Sequence, residues 1–236
     1  MNKKNVKIII ILVIFIILFV IITLFLIKKD NPQKSTNNEK IYYEIKFLED
    51  SIFEMSSTIS NSEDWQNLQG QAIVLYNFWD SCILDLNSLN IEKKYLTDFG
   101  NMLDNLFVTI QNKDRLAVMN SLSDLYKQVL LYYENLDYDK ASLNISYSKY
   151  NLLMSKISSE TLNWTITYEY IKKSSEYLLN IIASENYSKY SQYNINQAYI
   201  SVKELESIIN SKNINVFNVK FNIAIKKVSN IWLFQK

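Results

Sequence analysis

Histidine is absent from this 236-residue chain, and cysteine occurs once, as Cys82. Those two gaps exclude the familiar zinc sites, Ser-His-Asp triads, Cys-His dyads and His-containing di-iron helix motifs. A single thiol permits no intramolecular disulfide, so packing alone must hold the fold. Cys82 falls on an apolar stripe and reads as a small hydrophobe. Glycine is confined to Gly70 and Gly100 and proline to Pro32, which leaves little to supply the positive-φ turns of hairpins. A Gly-rich phosphate loop is missing, as is calcium-loop spacing, since "DYD" at 137–139 is too short a signal. The composition therefore favours an all-α chain joined by Asn, Ser and Asp turns.

What is present is apolar. Hydrophobic residues make up 48% of the chain, enough to bury a real core. Lys, at 24 residues, far outnumbers the lone Arg115, a bias that suits a low-GC bacterial genome. Residues 8–27, "IIIILVIFIILFVIITLFLI", contain only Thr23 as a polar residue. A helix of that length spans about 30 Å, the thickness of a bilayer hydrocarbon core. A cleaved secretory signal is the rival reading, but it needs a shorter apolar region and a small-residue cleavage site, and "LFLIKKDNPQ" offers none. An uncleaved signal anchor is expected. Lys3, Lys4 and Lys7 precede it and Lys28 and Lys29 follow, so flanking charge orients it only weakly. The short tail favours residues 1–7 in the cytoplasm, 8–27 in the bilayer, and 30–236 outside as a single-pass protein of the cell membrane. Residues 28–39, with the only proline and no apolar period, read as a tether.

From residue 40 onward the apolar positions step by three and four, the period of amphipathic helices. The first stripe is Ile41, Ile45, Leu48, Ile52, Met55, Ile59. A second runs from Trp65 through Leu68, Ala72, Leu75, Trp79 and Cys82 to Leu86. The third is Leu96, Phe99, Leu103, Leu106, Ile110, and the fourth Val118, Leu122, Leu125, Val129, Tyr132. Adding 99 to the last three returns a second series: Trp164, Thr167, Ile171, Ser174, Leu178, Ile181; Ile195, Ala198, Val202, Leu205, Ile209; and Phe217, Phe221, Ala224, Val228, Ile231. The first helix returns as Leu143, Tyr147, Tyr150, Met154, Ile157, displaced by 102, which implies a three-residue difference in the next turn. The pattern predicts antiparallel helical bundles in a duplicated four-helix unit, residues 40–137 and 138–236. The first unit carries 7 basic and 15 acidic residues, net −8, and the second 12 and 7, net +5. Docking of the halves, head-to-tail pairing of protomers and an anionic partner all fit this asymmetry, as does solvated charge with no partner at all.

Reaction chemistry is not visible. The carboxylate pairs Glu49 with Asp50, Glu63 with Asp64, and Asp137 with Asp139 read as helix starts or turns, where acids cap and meet the helix dipole. No nucleophile is placed with a base, so no catalytic, cofactor-binding or metal-binding residue is assigned, no cofactor is expected and an enzyme is not. Nucleic acid is a poor partner, because residues 30–236 are net −4. Tyrosine is the more suggestive feature: ten of seventeen lie in the second unit, including Tyr187, Tyr190 and Tyr193 in "ENYSKYSQY". Aromatics at a polar turn suit an interaction surface, although half-buried packing between short helices, which needs no ligand, is the more ordinary use.

The "DW" at Asp64 and Trp65, with Trp79 two heptads later behind an N-terminal anchor, resembles a small clostridial membrane-anchored helical family of unknown function. The resemblance implies two such units in tandem, the second keeping Trp164 and placing Leu178 where the second tryptophan would stand. It brings no activity. The expectation is a membrane-anchored extracytoplasmic helical protein, bound to the lipid bilayer through residues 8–27, acting as a non-catalytic interaction or structural module with a protein partner or a second copy. An extracytoplasmic ligand-binding or sensory bundle is the alternative.

Overall fold

The computed structural model describes residues 32–61, 64–89, 91–136, 140–184 and 192–231. Among them are eight α-helices and no strand: α1 Pro32–Asn61, α2 Trp65–Leu86, α3 Lys93–Gln111, α4 Arg115–Leu136, α5 Lys140–Glu160, α6 Trp164–Ile182, α7 Gln192–Ile208 and α8 Ile214–Ser229. A 3-10 turn, Ile209–Ser211, closes α7. The segment 8–27 lies outside the described residues, and no helix among those described is long and apolar enough to cross a membrane. Helix α1 begins at Pro32, so residues 32–39, expected as tether, are helical. Proline suits that first position, where its missing N–H costs no hydrogen bond. The chain divides into two units, 1–40 and 41–236, and the helical core belongs to the second.

The expected stripes become the buried faces. Leu68, Ala72, Leu75, Trp79, Cys82 and Leu86 of α2 are buried, as are Leu96, Phe99, Leu103, Leu106 and Ile110 of α3. The matching residues of α6, α7 and α8 are buried in the same register. Trp65, at the head of its stripe, is only half-buried against the first core. Trp79 is enclosed, stacked at 6.2 Å on Tyr132 and 4.4 Å from Phe99.

Helix ends repeat as well. Asp64 caps α2 by accepting from Asn67 N, and Asn163 caps α6 by accepting from Ile166 N, with nearly the same backbone angles. Lys113 and Lys212, 99 residues apart, both hold left-handed backbone at φ 53° and 50°. Each precedes an N-cap: Asp114 accepts from Ala117 N, and Asn213 from Asn215 N and Val216 N. Side-chain oxygens thus satisfy amides that have no partner within the helix.

Helix α5 departs from expectation. It belongs to two apolar clusters, contributing Leu153 and Ile157 to the one built from α1–α4, and Ala141, Ile145 and Leu152 to the one built from α6–α8. The stripe Leu143, Tyr147, Tyr150, Met154, Ile157 faces the first cluster. The side turned to α6 is instead Ala141, Ile145, Ser148 and Leu152, displaced by 100 from Ile41, Ile45, Leu48 and Ile52 of α1. The displacement of 102 tracks the stronger apolar stripe, which serves the neighbouring bundle. Ser148 and Ser174 meet with their hydroxyls 2.8 Å apart, and α5 and α6 are the most extensively packed helix pair. Small side chains let the two backbones approach closely, the geometry that serines and alanines permit.

Candidate functional site

The most unusual chemistry lies where α1, α4 and α5 meet. Glu49 and Asp50 sit in mid-helix on α1, not at the helix start or turn that their pairing suggests. Glu49 is 2% exposed. Its Oε1 accepts from the Tyr126 hydroxyl and its Oε2 from that of Tyr133 at 3.1 Å. Lys149 of α5, also buried, places Nζ 3.4 Å from Glu49 Oε1 and 3.4 Å from Asp50 Oδ1. Lys46 donates to Asp50 Oδ2 at 2.8 Å. The Lys149 ammonium also lies 5.7 Å from the centre of the Phe53 ring, within cation–π range.

Burial alone would raise the Glu49 pKa, but Lys149, Lys46 and hydrogen bonds from Tyr126 and Ser146 outweigh it and hold the carboxyl below its ordinary value. For Lys149 burial acts downward, yet Glu49 and Asp50 prevail and raise it. Burial beside Glu49 drives the Tyr126 and Tyr133 hydroxyls far up, so both remain protonated donors. The result is a closed ion pair with its oxygens satisfied. It lies within the helix packing and ties α5 to α1 and α4 through buried, mutually paired groups.

Two turns along α5 a second lysine is buried. Lys156 donates to Glu160 and, at 2.7 Å, to Asn218 of α8. Arg115 joins the same carboxylate at 2.9 Å and donates to the Ser60 carbonyl at 3.3 Å. Burial depresses the Lys156 pKa despite Glu160. No spacing rule could have found either cluster, because their members lie on α1, α4, α5 and α8 and meet only after folding.

Tyr187 and Tyr190 lie outside the described residues, and Tyr193 stands 69% exposed near the start of α7. Tyr177 stacks on Tyr147 at 4.9 Å, and Tyr168 reaches Glu206 at 3.5 Å. Among the described residues no group of three or more Cys, Asp and Glu is placed to hold a metal ion. An open depression of about 230 Å³ lies between α2 and α3, lined by Ile73, Tyr76, Asn77, Asp104 and Phe107; it is shallower than the clefts that enclose small ligands. No protein-family model, curated protein or solved structure matches the chain.

Proposed function

We propose that the chain is a single-pass, membrane-anchored extracytoplasmic helical protein, built from a duplicated four-helix unit and acting as a non-catalytic interaction module. The observation that carries the reading is the contrast between interior and surface. The Glu49 carboxylate is closed by Lys149, Tyr126 and Tyr133, Trp79 is walled by aromatic rings, and apolar side chains left over from packing stand on outer helix faces, among them Ile73, Val108, Val219 and Ile223. Interaction faces, not enclosed pockets, are the chemistry such a surface offers. The duplication is supported by caps and left-handed turns that recur 99 residues apart. The anchor rests on the apolar run at 8–27, which would hold the module at the bilayer with residues 30–236 outside. A protein partner or a second copy suits these faces; nucleic acid does not, given the net charge.

The test of topology is a cysteine at the exposed Ser207. Native Cys82 is buried and stays unreactive in the folded chain. A membrane-impermeant maleimide should label Ser207→Cys in intact cells. Labelling only after lysis would overturn the external assignment.

A further inference from the structure

Among the described residues, two of the apolar surfaces left open to solvent differ in charge. On α8 the core face is Phe217, Phe221, Ala224 and Val228, while Val216, Val219 and Ile223 point outward, Val219 being 62% exposed. Their spacing of three and four makes them one strip about two turns long. Residues 207–236 carry five lysines, Lys212, Lys220, Lys226, Lys227 and Lys236, and no acid. Glu204 engages Lys220 at 2.7 Å. Lys212, Lys226 and Lys227 enter no salt bridge among the described residues.

The second surface is the depression between α2 and α3, with Asp104 among its lining residues. Val74 and Val108, next in sequence to Ile73 and Phe107, are exposed as well. Residues 65–111, which span α2 and α3, carry five acids, Asp80, Asp85, Glu92, Asp98 and Asp104, against Lys93 and Lys94, net −3. A lysine-bearing apolar strip therefore exists on one half, and an apolar groove that includes Asp104, on helices of net negative charge, on the other.

Comparison across the 99-residue spacing shows that neither surface is a by-product of the repeat. Val216, Val219 and Ile223 correspond to Ala117, Asn120 and Asp124, and Ile73 and Val74 correspond to Lys172 and Lys173. Each half has an apolar outer surface where the other is small, polar or charged. Both surfaces are exposed in the same compact unit, so neither covers the other within one chain. We propose that α8 of one copy docks into the α2–α3 groove of a second copy, head to tail. Lys226 and Lys212 then face the carboxylates around Asp104 and Asp80, and Val219 and Ile223 enter the groove between Ile73 and Phe107. The contact joins two different surfaces, so every pair leaves a free strip at one end and a free groove at the other, and assembly proceeds as an open chain. This rests on the interaction-module reading, and an anchor that confines copies to one membrane plane would raise their effective concentration.

The experiment uses the full chain in phosphatidylcholine vesicles, with Ile73→Cys and Val219→Cys made separately and together. Both positions are exposed, so neither change disturbs the core. Oxidation of the mixed single variants should give disulfide-linked dimers at roughly ten-fold the yield of either alone, as a heterologous contact requires. The double variant should give a ladder of longer oligomers. Adding Lys226→Glu to the Val219→Cys chain should cut the dimer yield several-fold, and Asp104→Lys on the Ile73→Cys chain should restore it. Equal yields from Val219→Cys alone and from the mixture would overturn the proposal, because the strip would then pair with itself. Protection of Val219→Cys from a soluble maleimide by phosphatidylglycerol vesicles, without cross-linking, would assign the strip to an anionic membrane and overturn it too. If cross-links fail while Ser207→Cys is still labelled on intact cells, self-assembly alone is removed and the external module remains.

Discussion

Lys149 and Lys156 share a helix and a face, yet their removal should have different consequences. Lys149→Met leaves Glu49 buried beside two tyrosine hydroxyls with its closest cation gone. That loss should cost about 3 to 5 kcal/mol, read as a fall in the urea midpoint, while Glu49→Met combined with Lys149→Met should recover most of it. Lys156→Met should stay within about 1 kcal/mol of the parent, because Arg115 still engages Glu160 at 2.9 Å and the depressed lysine pKa shows that burial opposes its charge. The Glu49 pair also fixes a pH window. A carboxyl held below its ordinary 4.5 contributes stability that is fully present above that value and is lost as pH falls through the lower, folded pKa. A lysine raised above 10.5 contributes below that value and loses its contribution as pH climbs past the folded pKa. Denaturation profiles should therefore show an acid-limb loss below about pH 4.5 that is smaller in Glu49→Gln. The tryptophans divide in the same way: enclosed Trp79 anchors the first core, whereas half-buried Trp65 mainly covers its edge.

Helices α1 and α5 differ in side-chain size at matched positions. Leu48 corresponds to Ser148, and the serine face is what allows α5 to approach α6 closely. Ser148→Leu should destabilise by roughly 1 to 3 kcal/mol in thermal or chemical unfolding, since the added volume has nowhere to go. The turns carry a smaller reserve. Lys212 holds a left-handed conformation at φ 50°, which costs an L-residue with a Cβ roughly 1 kcal/mol or more. Lys212→Gly should therefore raise stability by about 0.5 to 1 kcal/mol, and an unchanged or lower midpoint would contradict that account. These turns were only partly legible in the sequence. "QNKD" and "NSKN" announce a break and a cap, but nothing in a lysine announces a positive φ, which the geometry of chain reversal imposes.

For the whole molecule the sharing of α5 between two apolar clusters is the governing fact. Neither half can lose its packing without exposing one side of α5, so residues 41–236 should unfold in one cooperative step. Single-tryptophan variants report it: Trp79 lies in the first cluster, and Trp164 packs edge-on to Phe217 in the second at 5.9 Å. Their urea transitions should coincide, and Leu178→Ala in the second cluster should move both; separate midpoints would mean the halves unfold independently. Several features were open to the sequence alone. The all-α class follows from scarce glycine and proline, and the buried faces of α2, α3, α6, α7 and α8 follow from apolar residues three and four apart, because helix periodicity is a local property that each segment carries by itself. Asp64 as a cap follows from its place before an apolar run, for the same reason. Only tertiary structure decided that α5 has two faces, that its weaker stripe and not its stronger one packs on α6, and that Glu49 lies buried against Lys149. Those outcomes depend on which surface each helix meets, and residues 100 apart carry no trace of their meeting until the chain has closed around them.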